Sequence, residues 1–392
     1  MRFSTVRLGS VAEFEREGID PQTIPPETTY VGLEHISSEG IFIKPPKVQP
    51  GDLGSTKFVF SERHVLFGKL RPYLRKIARP TFSGICSTDI IPISPSSKLD
   101  RNYLFHYLRT DAVIDRATSM ASGANLPRVS PKHLIDFEVP LPPLDEQRRI
   151  AAILDQADAL RRTRHVALAK LSSLKHAIFL ELFGDPVQNK RKWQRVPFGD
   201  LLSGIESGWS PTCLDRPAGP EEWGVLKLSA VTTCTFDDTE QKALPKSVKP
   251  RPSIEVRPGD VLFSRKNTYD LVGACALVRS TKPRLMLSDL IFRLQISDPE
   301  ILVPDYLQAL LACPTKRKEI QKLAGGSAGS MPNISKERLK GIDIELPPVQ
   351  LQKAFANRIA QLEKLIGTYQ SYRSHLDTLF ASLQHCAFRG EL

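Results

Sequence analysis

The sequence lacks the short motifs that mark common catalytic and metal sites. It contains no GxxxxGK phosphate loop, no GxGxxG dinucleotide loop and no HExxH zinc motif. The Gly-rich segment Gly325–Gly329 follows a predicted helix instead of a strand, which is not the setting of a GxSxG nucleophile elbow. Its six cysteines form no CxxC pair, and its eight histidines are dispersed, so no zinc centre of conventional spacing is encoded. The sequence therefore predicts a recognition or scaffold protein rather than a catalyst.

Long hydrophobic runs are also missing. No stretch approaches the ~18 apolar residues of a membrane-spanning helix, and the first seven residues have no apolar core of signal-peptide length. Scattered, unpaired cysteines are typical of proteins kept in a reducing compartment. We therefore expect a cytoplasmic protein without a membrane partner.

Positive charge is what the sequence has in excess. Its 54 Lys and Arg residues outnumber its 43 Asp and Glu residues, for a net charge of +11. Such a balance favours an acidic partner, most often nucleic acid, although a basic protein without such a partner is the alternative. The 392 residues predict two to four folded units.

An internal repeat dominates the sequence. Leu141-Pro142-Pro143-Leu144 recurs 205 residues later as Leu346-Pro347-Pro348-Val349, and Leu126-Pro127-Arg128-Val129-Ser130 aligns with Met331-Pro332-Asn333-Ile334-Ser335. Short apolar runs separated by Pro and Gly precede each Leu-Pro-Pro, which indicates strands, with one helix predicted near Asn102–Arg116. The repeat predicts two similar halves on one chain.

A long helical pattern follows each Leu-Pro-Pro, over about Asp145–Phe183 and Gln350–Phe388. Apolar positions recur there at alternating spacings of three and four residues, as in a coiled coil. The first stripe comprises Ile150, Ile153, Ala157, Leu160, Arg164, Ala167, Leu171, Leu174 and Ile178. The second comprises Phe355, Arg358, Leu362, Leu365, Tyr369, Tyr372, Leu376, Leu379, Leu383 and Cys386. Equal length and shared phase favour pairing of the two helices with each other; a homodimeric coiled coil and packing of each helix on its own domain are the alternatives.

We therefore predict an α+β fold with a pseudo-twofold internal repeat. Two strand-rich domains alternate with two long helices that pair as an antiparallel coiled coil. The predicted boundaries are 1–143 and 185–348 for the strand-rich domains and 144–184 and 349–392 for the helices.

This organisation resembles the specificity subunit of type I restriction–modification enzymes. The segment Leu141–Ala151 is similar to the central conserved region of that family, and Ala387–Leu392 to its C-terminal ending. Gly51-Asp52 and Pro258–Arg265 resemble the strand entry of its target-recognition domains. The second repeat departs from the usual Glu-Gln pair after Leu-Pro-Pro, with Leu351-Gln352 in its place.

The resemblance implies the following function. Each strand-rich domain would be a target-recognition domain that reads one half of a bipartite, asymmetric site in double-stranded DNA. The paired helices would act as a spacer that fixes the gap and docks two methyltransferase subunits, which motor–endonuclease subunits then join. Adenine methylation and ATP-dependent cleavage, with S-adenosylmethionine, ATP and Mg, would belong to those partners, and this chain would bind no cofactor and catalyse no reaction.

Two loops in each half carry the candidate DNA contacts. A reader of DNA needs cations for phosphates and planar donors for base edges. Basic and aromatic residues recur in 68–76 and 264–269, while small residues with Asn or Arg recur in 122–128 and 326–333. The candidates are Lys69, Arg71, Tyr73, Arg75, Lys76, Asn125, Arg128, Arg265, Lys266, Asn267, Thr268, Ser330 and Asn333. Solvated turns are the alternative interpretation.

Four arginines are candidates for docking the methyltransferase subunits on the long helices: Arg148, Arg149, Arg161 and Arg162. Arginines that merely solvate a helix are the alternative. At the level of the whole protein, a structural adaptor that joins two protein-binding domains without DNA is the competing hypothesis. A self-contained nuclease or methyltransferase is disfavoured, because neither an Asn-Pro nor an Asp-Pro-Pro sequence of an amino-methyltransferase site occurs.

Overall fold

The structure, a computed structural model, describes residues 3–325 and 331–392. The chain divides into two compact units. The first unit comprises the residues up to Val166 together with Gln370–Leu392, and the second comprises Ala167–Tyr369. Each unit therefore combines one strand-rich domain with a segment of each long helix.

The first unit contains a four-stranded antiparallel sheet, a five-stranded sheet and a short strand pair. Its strands are β1 (Thr5–Arg7), β2 (Ala12–Phe14), β3 (Gly18–Ile19), β4 (Thr28–Val31), β5 (Lys47–Val48), β6 (Lys57–Phe60), β7 (Val65–Gly68), β8 (Ile77–Ala78), β9 (Gly84–Cys86), β10 (Ile90–Pro95) and β11 (Glu138–Pro140). Its helices are α1 (Arg101–Leu108), α2 (Asp111–Ser119), α3 (Pro131–Ile135) and the first part of α4 (Leu144–Phe183). The sheet orders are β2-β10-β7-β8, β3-β6-β9-β4-β5 and β1-β11.

The second unit repeats this plan with a smaller additional sheet. Its strands are β12 (Gln194–Pro197), β13 (Leu202–Ser207), β14 (Gly224–Leu226), β15 (Gln241–Ala243), β16 (Val261–Ser264), β17 (Cys275–Leu277), β18 (Leu285–Met286), β19 (Ile291–Ile296) and β20 (Asp343–Leu346). Its helices are α5 (Ser229–Thr232), α6 (Pro304–Ala312), α7 (Pro314–Gln321), α8 (Lys336–Lys340) and the first part of α9 (Val349–Arg389). The orders β13-β19-β16-β17 and β12-β20 match those of the first unit, whereas β15-β14-β18 replaces the five-stranded sheet. The internal repeat is thus confirmed as a repeat of topology.

The helix predicted near Asn102–Arg116 is in fact two helices, α1 and α2. Asp100 caps α1, since its carboxylate accepts hydrogen bonds from the backbone N–H groups of Asn102 and Tyr103. The chain then turns at Thr110, whose hydroxyl donates to the Tyr107 carbonyl over 2.8 Å. Such a side-chain bond competes with helical hydrogen bonding and favours a break in the helix. The apolar periodicity of the sequence continues across this break, so it predicts one helix where the structure has two.

Within each unit the segments of α4 and α9 run antiparallel. In the first unit, Arg149 donates to the Leu392 carbonyl over 2.9 Å, and Arg161 Nε donates to Asp377 over 2.8 Å. In the second unit, Lys175 donates to Glu363 over 2.6 Å. Residues later along α4 thus contact residues earlier along α9, which confirms the predicted antiparallel pairing.

The predicted stripes of the two helices are only partly correct. Leu160, Leu174, Leu365, Tyr372 and Leu379 are exposed. The buried positions of α4 are Gln147, Ile150, Ala151, Leu154, Asp158, Leu168, Phe179 and Phe183, of which only Ile150 belongs to the predicted stripe. Each helix segment packs on its strand-rich domain as well as on the other helix, so its buried arc is rotated from a simple coiled-coil stripe.

The core of the first unit joins the domain to both helices. Tyr103 and Leu104 of α1 belong to one buried cluster with Ile150 and Leu154 of α4 and Phe380 of α9. Full burial of such side chains stabilises each by about 1.5–3 kcal/mol.

The second unit builds the equivalent contact from aromatic rings. Tyr306 of α6 packs against Phe183 of α4 with ring centroids 4.8 Å apart, and Phe183 packs against Phe355 of α9 at 5.4 Å. The Tyr306 hydroxyl donates to the Glu345 carbonyl over 2.5 Å, and Tyr103 donates to the Pro140 carbonyl over 2.9 Å at the same place in the first unit. The aromatic ring is buried in each case while its hydroxyl is satisfied.

A buried glutamine fastens the start of α4 to the first domain. The Gln147 amide N–H group donates to the carbonyls of Lys98, over 3.0 Å, and of Pro142, over 2.8 Å. Its carbonyl oxygen accepts from the Asp100 backbone N–H over 2.8 Å. One fully buried side chain thus satisfies three backbone groups of the turn before α1 and of the Leu-Pro-Pro segment.

Gln352 makes the same three bonds at the start of α9. Its amide N–H group donates to the carbonyls of Ile301, over 3.0 Å, and of Pro347, over 2.8 Å, and its oxygen accepts from the Val303 backbone N–H over 2.9 Å. The departure from the Glu-Gln pair in the second repeat therefore leaves this contact intact, because the glutamine alone makes it.

A partly buried group of three side chains joins α1 to α4 in the first unit. His106 Nε2 donates to Asp155 Oδ1 over 2.8 Å, and Arg79 Nη2 donates to the same oxygen over 2.7 Å. Burial lowers the pKa of His106 below its usual value despite the nearby carboxylates of Asp155 and Asp158. Burial opposes ionisation of Asp155, but the hydrogen bonds from His106 and Arg79 outweigh it and hold its pKa well below its usual range.

Replacing Gln147 with Ala is expected to destabilise the first unit by about 3 kcal/mol, since three buried backbone groups each lose a bond worth about 1 kcal/mol. Gln352→Ala is expected to do the same in the second unit. Urea-induced unfolding followed by circular dichroism measures both. Gln156→Ala, an exposed position on α4, is the control and is expected to leave the transition unchanged. Equal stability of all three variants and the wild type would show that the glutamine contacts are dispensable.

Acidification below about pH 6.5 is expected to destabilise the protein through His106. The unfolded chain takes up a proton there at the ordinary histidine pKa, whereas the folded state resists until lower pH, so stability falls as pH falls. One such group contributes at most about 1.4 kcal/mol per pH unit. Urea unfolding between pH 7.5 and 5.5 is expected to show a shallower pH dependence for His106→Gln than for the wild type. The exposed His133→Gln should retain the wild-type dependence, and parallel profiles for both variants would contradict the assignment.

Candidate nucleic-acid interface

The two candidate loops of the first domain lie side by side. The β7–β8 loop begins at Lys69, whose carbonyl accepts from the Val129 backbone N–H over 3.0 Å. Leu70 forms a β-bridge with Arg128, and the Arg71 backbone N–H donates to the Pro127 carbonyl over 2.7 Å. We call residues 69–76 and 122–128 together the first loop cluster.

The second domain brings its candidate loops together in the same register. Lys266, in the β16–β17 loop, forms a β-bridge with Asn333, and the Asn267 backbone N–H donates to the Pro332 carbonyl over 3.3 Å. Gly325 also bridges Asn333, as Ser122 bridges Arg128 in the first domain. Residues 265–272, 325 and 331–333 form the second loop cluster, and the predicted Ser330 lies outside the described residues.

Positive charge exceeds negative charge in the first loop cluster. Arg128 donates to both oxygens of Asp89, with Nε at 2.8 Å and Nη2 at 3.2 Å, and Lys69 lies 3.9 Å from the same carboxylate. Arg71 Nη2 donates to the Asn125 carbonyl over 3.2 Å, so its guanidinium is held against the second loop. One carboxylate is thus shared by two cations, and a third cation lies beside them, an arrangement suited to an anionic ligand.

The second loop cluster replaces this ion pair with an amide. Arg265 Nε donates to Asn333 Oδ1 over 3.1 Å, and its guanidinium carbon lies 5.0 Å from the centre of the Phe292 ring. Asp289, which aligns with Asp89, instead accepts a hydrogen bond from Ser210. The same backbone frame therefore presents different polar groups in the two domains.

Several predicted contact residues also bind within the fold. Arg75 forms an ion pair with Asp111, and Lys76 donates to the Ile36 carbonyl over 2.5 Å. Asn267 is buried, with its side-chain oxygen accepting from the Thr268 backbone N–H over 2.8 Å. Tyr73 is exposed. A role of these side chains in DNA contact stays a prediction.

Two exposed apolar residues that match in position between the loop clusters were missed as candidates: Leu126 and Met331. They align with each other in the 205-residue repeat, so the signal was present in the sequence. An apolar residue in an aligned segment is more often a core position, and only the structure shows that both side chains face solvent.

The four arginines predicted to dock partners all make local ion pairs in the first unit. Arg148 lies 3.4 Å from Asp145, and Arg149 lies 2.7 Å from Glu146. The other two share buried Asp158, which lies 3.4 Å from Arg161 and 3.2 Å from Arg162. Their involvement in partner docking stays a prediction.

Over 3–325 and 331–392, no group of three or more His, Cys, Asp or Glu side chains is arranged to hold a metal ion. Within those same ranges, no helix combines the length and apolarity needed to cross a membrane.

Comparison with known proteins agrees with this architecture. Residues 3–170 match the type I restriction modification DNA specificity domain. The chain is 33% identical over 193 residues to the EcoEI specificity subunit and 31% identical over 210 residues to the EcoDI specificity subunit, both from Escherichia coli. These matches cover 49% and 52% of this chain but 31% and 46% of the relatives, so the chain spans a third to a half of their lengths.

A solved structure extends the likeness in fold to the whole chain. It comes from a study of complex assembly and conformational transition in the type I restriction–modification system. The two chains superpose with a TM-score of 0.61 at 23% identity, over 100% of this chain and 98% of the other. Residues 3–170 thus match a type I restriction modification DNA specificity domain, and the whole chain is similar in fold to a chain from a type I restriction–modification system.

Proposed function

We propose that this chain is the DNA-recognition subunit of a type I restriction–modification complex. Each strand-rich domain acts as a target-recognition domain and reads one half of a bipartite, asymmetric site in double-stranded DNA. The observation that carries the proposal is the recurrence of the same loop cluster, in the same register, in both domains. A protein that reads two half-sites needs two such surfaces, each able to carry its own set of polar side chains.

The long helices have a separate part in this function. Helices α4 and α9 each contribute a segment to both units, which supports a role as the spacer between half-sites. Two methyltransferase subunits dock on the chain, and motor–endonuclease subunits join that assembly. Those partners carry S-adenosylmethionine, ATP and Mg and perform adenine methylation and cleavage in the cytoplasm, while this chain supplies the specificity.

The decisive experiment is methylation-sensitive long-read sequencing of DNA from a methylation-free host that expresses this chain with its neighbouring methyltransferase gene. A split, asymmetric modified motif with a fixed gap is the expected result, and it supplies the target sequence directly. Absence of any modified motif, although a stable complex is purified, would refute the proposal.

Exchanging residues 1–143 for those of another family member is expected to change one half of the modified motif and leave the other half and the gap unchanged. The reason is that each domain presents its own loop cluster. The same sequencing assay reads the outcome. The reciprocal exchange of residues 185–348 is the control and should change only the other half, whereas a change of both halves by either exchange would contradict independent reading.

Replacing Lys266 with Gln is expected to weaken DNA binding and to reduce the slope of log K against log salt by about 0.9, the contribution of one phosphate contact. Fluorescence anisotropy with the mapped duplex at several salt concentrations measures the slope. Lys364→Gln, at an exposed position on α9, removes the same charge outside the loop cluster and should leave the slope unaltered. Identical slopes for Lys266→Gln and wild type would exclude a phosphate contact at Lys266.

A further inference from the structure

Each loop cluster exposes a tyrosine ring and an aliphatic side chain at positions that match between the domains; Leu74 and Leu271, each 40% exposed, do not match in position. In the first cluster Tyr73 is 51% exposed and Leu126 is 46% exposed. In the second cluster Tyr269 is 56% exposed and Met331 is 51% exposed. Large apolar side chains grouped at matched sites on two separate domains indicate a contact surface rather than incidental exposure.

The backbone places these pairs in the same register. Tyr73 lies two residues after Arg71, whose backbone N–H donates to the carbonyl of Pro127, and Leu126 immediately precedes that proline. In the second domain the equivalent bond joins Asn267 to Pro332 over 3.3 Å. Tyr269 lies two residues after Asn267, and Met331 immediately precedes Pro332. One hydrogen bond between the loops therefore places the backbone segment that carries the ring beside the segment that carries the aliphatic chain in each domain.

The exposed tyrosine of the first cluster is held by an ordered turn. Tyr73 is the middle residue of a single 3-10 turn, Pro72–Leu74. The residues on either side, Arg71 and Arg75, adopt left-handed backbone conformations with φ of 50° and 53°. Such a conformation costs a non-glycine residue about 1 kcal/mol or more and persists only where surrounding contacts impose it. Arg75 supplies such a contact through its 3.1 Å hydrogen bond to the Arg109 carbonyl.

The surroundings of the pairs identify their partner. Lys69 and Arg71 flank the first pair, and Arg265 and Lys266 flank the second, so a polyanion is favoured next to both. Phosphates satisfy the cations but offer nothing to a ring or an aliphatic chain. Base faces do, because aromatic side chains stack on them and aliphatic side chains wedge between base steps of deformed duplexes.

The differences between the two domains also support contact of the apolar side chains with bases. The polar partner at the bridge changes from Arg128 to Asn333, and the additional sheet has five strands in one domain and three in the other. The apolar pair is retained across these changes. A shared apolar contact suits a task common to both half-sites, while the differing polar groups suit the selection of different bases.

We propose that Tyr73 with Leu126, and Tyr269 with Met331, form apolar wedges that pack against an opened base step of double-stranded DNA in each half-site. The inference rests on the proposed function and adds that both domains deform their DNA with equivalent pairs of side chains. Base contact by the wedge is independent of charge, so its removal weakens binding at every salt concentration alike.

The test uses the full-length chain with its methyltransferase and the duplex identified by methylation mapping. The fluorescent base 2-aminopurine, which brightens when unstacked, replaces successive bases of each half-site. Wild-type protein is expected to brighten one step in each half. Tyr73→Ser and Leu126→Ser should each lower affinity about 10-fold and abolish the signal in one half-site only. Tyr269→Ser and Met331→Ser should do so in the other, and Tyr73→Phe should retain the signal.

Controls separate the wedge from a change in fold or charge. Ile43, which is 51% exposed in the first unit outside the loop cluster, is replaced with Ser and should bind like wild type. The log–log salt slope and the unfolding transition of the serine variants should equal those of the wild type. If the wild type does not bind the duplex specifically, the proposed function itself fails. If the wild type binds but the serine variants match it in affinity and fluorescence, only the wedge is overturned.

Discussion

The position of each long helix depends on one buried glutamine side chain. Gln147 and Gln352 each bond three backbone groups, two as donor and one as acceptor, at the point where a domain meets the helix that follows it. A glutamine suits this position because its amide offers donor and acceptor groups without a charge that burial would penalise. The two prolines before each helix stiffen the same junction. The glutamine bonds and the proline rings therefore both restrict the direction in which the helix leaves the domain.

Each domain combines a framework that is the same in both halves with a loop cluster whose polar side chains differ between the halves. The framework of each domain consists of a four-stranded sheet, a terminal strand pair and the helix that packs a tyrosine against α4 and α9. The loop cluster extends from one hairpin of that sheet and is closed by a short bridge to the segment before Leu-Pro-Pro. Electrostatic balance is set locally within it, since Arg128 has Asp89 as its counterion whereas Asn333 needs none. Polar side chains can thus differ between domains without altering the backbone that carries them.

The sequence predicted the alternation of domains and helices, because a repeat at a constant shift constrains both halves together. It also identified two candidate loops in each domain, which the structure then places side by side. The buried face of each helix was not predictable from spacing, since Leu160 and Tyr372 fit a coiled-coil stripe and only tertiary packing leaves them exposed. Leu126 and Met331 were overlooked for the converse reason, because alignment shows that a position is apolar but not which way its side chain points.

The additional sheet of each domain can change in length without disturbing the loop cluster. The β7–β8 and β16–β17 loops extend from the four-stranded sheets, whereas the strands that differ in number belong to the other sheet of each domain. Insertions or deletions there leave the hairpin and its bridge in place. A strand-rich domain can therefore be replaced as one unit of coding sequence, because the same three glutamine bonds join each domain to the helix that follows it.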